Sequence, residues 1–246
     1  MASRPVGCAG LPQRQLPADG PIHIHIAEQI KEVLDCEAWS GQRPVDWLLD
    51  YAPVDARWCL VHATHVTPQE TQRMAASGAV VGLCPITEAN LGDGLFPALD
   101  YLNAGGRFGV GSDSNVLIDA AEELRLLEYG QRLARRTRNV MAMEAGRSTG
   151  GDLYRAGLAG GAQAVGADGG GLRVGALADI VSLDASHPAL IGRQGDALLD
   201  SFVFAARRDV IDGVWRAGRK VVSNGRHHRR DEIAARYRQA LEKVLA

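Results

Sequence analysis

Four short apolar runs punctuate the first half of the chain, each followed by a stretch with helical spacing. PIHIHIA (21–27), RWCLVHA (57–63), AVVGLC (79–84) and RFGVG (107–111) predict strands. Between them, helical patterns begin near an acid-rich start at Glu28 and again around residues 45–51. Thr67, Pro68 and Glu70 spell a helix start: a capping hydroxyl, a proline in the first position and an acid in the first turn. That helix is expected to reach about Ala76 and stop at Gly78. PITEANLGDG (85–94) reads as a long polar loop, 96–103 as a short helix, and 119–136 as a strongly amphipathic helix.

Strand and helix alternating four times imply a parallel sheet with crossover helices. The runs are nearly all apolar, as strands covered on both faces should be. Each ends at, or just before, a residue capable of chemistry: His25, Glu28, His62, His65, Asp113. In a (β/α)₈ barrel the active site lies at the C-terminal strand ends, and about four βα units make half of such a TIM-like barrel. Beyond residue 147 the texture changes. A Gly- and Ala-rich helix is expected over 148–165, then short strands at 178–184, 201–206, 210–218 and 219–225. Residues 214–222, turning at Ala217–Gly218, predict a hairpin, and 231–246 an amphipathic helix. The fold class expected is α/β: half a barrel, part of a small β-sandwich and a C-terminal helix. The divisions are 1–20 (tail or loop), 21–165 (half-barrel), 166–230 (sandwich segment) and 231–246 (helix).

Composition narrows the function classes. A net charge of -2 argues against a general nucleic-acid binder. The arginine clusters within 132–138 and 226–230 read as solvated faces. Cys8, Cys36, Cys59 and Cys84 form no C-x-x-C pair. The first twenty residues, broken by Pro and Gly, lack a secretory apolar core, and no apolar run approaches the ~20 residues that span a bilayer. A cytoplasmic, reduced protein without membrane contact is expected.

His23 and His25 stand two apart on one strand, so both project from one face. A single strand histidine is more often a hydrogen-bonded packing residue. Two on one face, with Glu28 past the strand end, His62 and His65 on the next strand and Asp113 in a G-S-D-S loop, favour a metal site. Imidazole and carboxylate suit zinc, iron or manganese.

HIHIAEQ (23–29), LVHATH (60–65), CPITEANLGDG (84–94) and GSDSN (111–115) together resemble the last four strand-end motifs of the amidohydrolase superfamily. TEANLGDG points toward its formimidoylglutamate deiminases. LRVGALADIVSLD (172–184) and VIDGVWRAGRKVVSNGRH (210–227) resemble the flanking β-sandwich of that superfamily. The resemblance, over about 21–246, implies roles. His25 is a metal ligand, and Asp113 touches both metal and water. His62 polarises the substrate, and Glu28 contacts the nitrogen of the group hydrolysed. His23 is implied to pack inside, with His65 and Asn115 as weaker candidates; the family usually carries histidine where Asn115 stands. Glu88, Asn90 and Asp93 read either as turn residues or as a substrate-facing loop. The implied cofactor is one divalent ion, Zn2+, with Fe2+ or Mn2+ as alternatives.

The resemblance also implies a first-strand His-x-His pair, and no such strand is found before residue 21. Twenty residues cannot hold four βα units, since one needs ~30. A C-terminal half is therefore expected, and three explanations fit: a truncated reading frame, a partner (or homo-oligomer) that supplies the other half, or a decayed inactive relative. The reaction implied is N-formimidoyl-L-glutamate plus water giving N-formyl-L-glutamate and ammonia, as in histidine degradation. The alternatives are another amidohydrolase, such as a nucleobase or nucleoside deaminase, and a non-catalytic interaction module. In the first two the partner is a small-molecule substrate.

Overall fold

The computed structural model describes residues 19–246. Cys8 and nearly all of the expected tail lie outside the described residues. The described residues form two compact units: 19–170 with Gly195–Phe204, and Gly171–Gln194 with Ala205–Ala246.

The first unit is built on four parallel strands in sequential order: β1 (Ile22–Ile26), β2 (Trp58–His62), β3 (Val80–Leu83) and β4 (Arg107–Val110). Helices α1 (Ile30–Ser40) and α2 (Pro44–Tyr51) link β1 to β2, and α3 (Pro68–Ser77) links β2 to β3. Helices α4 (Pro85–Leu91) and α5 (Ala98–Asn103) link β3 to β4, and α6 (Ala120–Arg135) and α7 (Thr149–Ala164) follow. The register aligns His25 with Val61, Val61 with Gly82, and Gly82 with Gly109. Strand alternation therefore puts those four on one face and Ile24, Leu60, Val81 and Phe108 on the other. The second set packs under the helices with Trp58, Met74, Leu83 and Tyr101 in the main apolar core. Full burial of a side chain such as Leu60 stabilises by roughly 1.5–3 kcal/mol. On the opposite face, Cys59, Val80 and Ala164 form a smaller cluster with Val61.

Helix α3 begins as its sequence predicts. The Thr67 hydroxyl accepts from the Glu70 N–H while the Glu70 carboxylate accepts from the Thr67 N–H, and Gly78 ends the helix at φ 78°. Two expectations fail. Residues 85–91 are helical rather than a polar loop; Pro85 supplies the pre-set φ of a first helical position, and Gly92 closes the helix at φ 76°. Residues 201–206 are not a strand: 201–204 end helix α8 (Asp196–Phe204), which packs against α7 and α6.

The second unit contains an antiparallel sheet of β5 (Ile180–Leu183), β6 (Ile211–Arg216), β7 (Arg219–Ser223) and β8 (Arg226–His227), then α9 (Arg230–Leu245). The β6–β7 hairpin turns at Ala217 and Gly218, both at positive φ (49° and 77°), the backbone of a type I′ turn.

Candidate metal centre

Strand ends, not strand interiors, position the candidate side chains. Past Ile26 the chain turns through Ala27 (φ 50°), whose N–H donates to one Glu32 oxygen while the Glu28 N–H donates to the other, at 2.8 and 2.9 Å. Glu32 lies in the first turn of α1, so the helix start grips the turn that presents Glu28. At the end of β2, His62 and Ala63 adopt φ 67° and 49°, a left-handed pair uncommon outside glycine and concentrated at functional sites. Ala63 N–H donates to Ile26 O and His65 N–H to Ala27 O, both at 3.0 Å, so the two strand ends are tied together.

His25, Glu28 and His62 converge, each offering a donor atom within 4.8 Å of the others. The two imidazoles meet edge-on with centroids 5.0 Å apart, and His62 Nε2 lies 3.8 Å from Glu28 Oε1. His62 is fully buried, its Nδ1 is 3.3 Å from Glu88 Oε1, and its Nε2 has no hydrogen-bond partner. Burial raises the Glu28 pKa, His62 and His25 pull it down, and the charges of Asp93 and Asp113 push it up further. For His62, burial disfavours the imidazolium, but the Glu88 hydrogen bond and the charges of Glu28, Glu88 and Asp113 outweigh it and raise the pKa. Two imidazoles, one of them with a buried nitrogen lacking a partner, and a carboxylate form a donor set that fits zinc.

Asp113 stands apart from this trio. It is exposed in the loop after β4 at φ 42°, acting on Glu28 and His62 through its charge. That loop is fastened to α4, because Ser114 Oγ lies 2.9 Å from Thr87 Oγ1. Asn115 accepts from Ser112 Oγ at 3.1 Å within the turn. Glu88 is buried on α4 and reaches His62 rather than the surface; Asn90 is exposed on the same helix. Asp93 is half-buried with one carboxylate oxygen unpartnered, as is His65 Nε2. His23 Nε2 lies 2.7 Å from the Ala164 carbonyl at the end of α7.

Sequence reasoning missed Glu123. From the first turn of α6 it caps Ile86 N–H at 2.9 Å, next to Glu88 in charge. An acid opening an amphipathic helix reads as solvated, and nothing local marks it as buried.

A family model described as the amidohydrolase family matches residues 18–221. A formimidoylglutamate deiminase of Pseudomonas aeruginosa is 54% identical over 227 residues, which is 92% of this chain and 50% of that protein. The crystal structure of an amidohydrolase from Brucella melitensis superposes with a TM-score of 0.88 at 54% identity, covering 92% of this chain and 50% of that one. An adenosine deaminase from Xanthomonas campestris with bound zinc gives a TM-score of 0.80 at 28% identity, over 91% of this chain and 51% of that one. The chain thus spans about half the length of the relatives it matches. With its strand-end histidines and acids on a parallel sheet, the chain belongs to the amidohydrolase family.

Proposed function

We propose that this chain is the C-terminal, half-barrel part of a metal-dependent hydrolase that cleaves the amidine carbon–nitrogen bond of N-formimidoyl-L-glutamate. The observation that carries the reading is the convergence of His25, Glu28 and His62 within 4.8 Å at adjacent strand ends. The 54% identity to a formimidoylglutamate deiminase supports that substrate over others. We assign the ion, Zn2+ with Fe2+ or Mn2+ as alternatives, to His25 and Asp113, with His62 beside His25 as a further donor. A divalent ion supplies Lewis acidity and brings the pKa of water toward ~7.

The side chains divide the remaining work. Water adds to the amidine carbon, Asp113 accepts its first proton and delivers it to the departing nitrogen, the hydroxyl proton of the adduct follows to that nitrogen as the carbon–nitrogen bond breaks and the carbonyl forms, and ammonia leaves N-formyl-L-glutamate behind. Glu28 contacts the amidine nitrogen, and its raised pKa fits a carboxyl that exchanges protons with substrate. His62 polarises the carbon under attack, while Asn90 and Asp93 line the approach. Zinc sites take three or four protein ligands. We infer that further ligands and the remaining barrel strands come from additional chain, in the same polypeptide or in a partner. Among the described residues no helix is long and apolar enough to cross a membrane.

The test is ammonia release from N-formimidoyl-L-glutamate and from adenosine by the longest encoded form of the protein, with metal content measured. Turnover of the first substrate, abolished in Asp113→Ala, is expected. Preference for adenosine would favour the second reading, a nucleoside deaminase, to which the zinc-bearing Xanthomonas structure is the pointer. Near-normal turnover in metal-loaded Asp113→Ala would remove the assigned proton carrier.

A further inference from the structure

We propose that Glu88 is a positioning residue for His62, holding the imidazole in the tautomer with its proton on Nδ1 and an unprotonated Nε2 toward His25 and Glu28. Three observations carry this. The ring of fully buried His62 is hydrogen-bonded through Nδ1 to Glu88 Oε1, at 3.3 Å. An ionised carboxylate accepts and cannot donate, so Nδ1 must carry the hydrogen and Nε2 the lone pair in the neutral ring. Nε2 is buried, has no partner, and lies 3.8 Å from Glu28 Oε1.

Glu88 is itself immobilised. Its Oε1 also accepts the Cys84 N–H at 3.0 Å, and its backbone carbonyl takes the N–H groups of Gly92 and Asp93, each at 2.9 Å. The start of α4 is anchored a second time, by Glu123 on Ile86 N–H. The helix after β3 is thus a bracket that fixes one carboxylate behind one imidazole. Partners of this kind set the tautomer and basicity of a ligating histidine. In the neutral ring His62 meets an ion as an electron-pair donor, and it polarises a substrate only after taking up a proton at Nε2. The tautomer stands on this geometry alone, whereas its effect on ion affinity rests on the metal reading above.

The test uses the full 246-residue chain, metal-free and labelled with ¹⁵N-histidine, in buffer alkaline enough to keep imidazoles neutral. His62 is assigned by its loss in His62→Ala. A pyrrole-type Nδ1 and a pyridine-type Nε2 resonance are expected for His62. Glu88→Gln, whose amide oxygen accepts the same proton, keeps that pattern. Glu88→Leu loses it and weakens Zn2+ binding roughly ten- to a hundredfold. A proton on Nε2 in the unmodified chain overturns the proposal even if the leucine variant fails to fold. So does an unchanged tautomer and Zn2+ affinity in a folded Glu88→Leu. A His25→Ala chain that binds Zn2+ undiminished would sink the metal reading and leave the tautomer result intact.

Discussion

Burial pushes the Glu123 carboxyl up to about 7; the Ile86 N–H opposes this, while the charges of Glu88, Asp119 and Glu122 add to it. Its side chain accepts one backbone hydrogen bond and leaves the other oxygen unpartnered. In the unfolded chain the group titrates near 4.5. Below that value both states hold the proton and its contribution is fully present. Between 4.5 and about 7 the folded state binds more protons than the unfolded state, so stability falls as pH rises. The slope is at most about 1.4 kcal/mol per pH unit. Glu123→Gln keeps an acceptor for Ile86 and removes the ionisation. Denaturant titrations across this window are expected to show the variant gaining on the unmodified chain as pH rises; parallel curves would mean that the carboxyl ionises freely in the fold. At the α3 start, where both halves of the capping box are formed, Thr67→Ala should cost about 1 kcal/mol in the same titrations. His25, Glu28 and His62 are legible in the sequence because a strand end fixes where a side chain goes. Glu123 is not, because its burial depends on α4 arriving from 37 residues earlier.

At the scale of elements, helix α7 lies against β4 through glycines. A Cβ on Gly160 would fall 1.9 Å from the Phe108 carbonyl oxygen, backbone that has nowhere to go, whereas a Cβ on Gly161 meets nothing within 4 Å. Alanine gains roughly 1 kcal/mol over glycine in a helix interior. At Gly160 overpacking of about 1–3 kcal/mol or more exceeds that gain. Gly160→Ala should therefore lower the melting temperature and Gly161→Ala raise it slightly; a stabilised Gly160→Ala would mean that the helix does not lie on β4 this closely. The same tertiary dependence explains where sequence and structure part. SFVFAA carries β-branched and aromatic residues, yet 201–204 continue a helix in which Ser201 and Val203 are buried. Local propensity yields there to packing. Residues 85–91 conceal their helix because Cys84, the residue at its N-cap, makes no side-chain cap bond; Pro85 is the available signal. The four parallel strands need no tertiary information, since a run of apolar residues ending in chemistry has few alternative homes in a parallel sheet.

Across the whole molecule the two units differ in how much apolar surface they bury. In the first, Leu60, Val80, Val81 and Leu83 are fully buried on neighbouring strands. In the second, the buried apolar side chains are Leu190, Ala206 and Val210, while Leu172, Val174, Val181 and Ile191 are more than half exposed, and α9 buries no residue. Local opening free energy follows buried apolar contact, so hydrogen-bonded amides in the second sheet have less holding them closed. The β6–β7 hairpin has well-formed turn chemistry, but a turn fixes register and does not supply a core. Hydrogen–deuterium exchange should therefore show the amides of β6 and β7 exchanging faster than those of β2 and β3, by a factor that reports the difference in local stability directly. Equal protection of the two sheets would mean that the second unit gains apolar burial from something beyond these residues, and a further chain packed on Val174, Val181 and α9 would then be the first thing to look for.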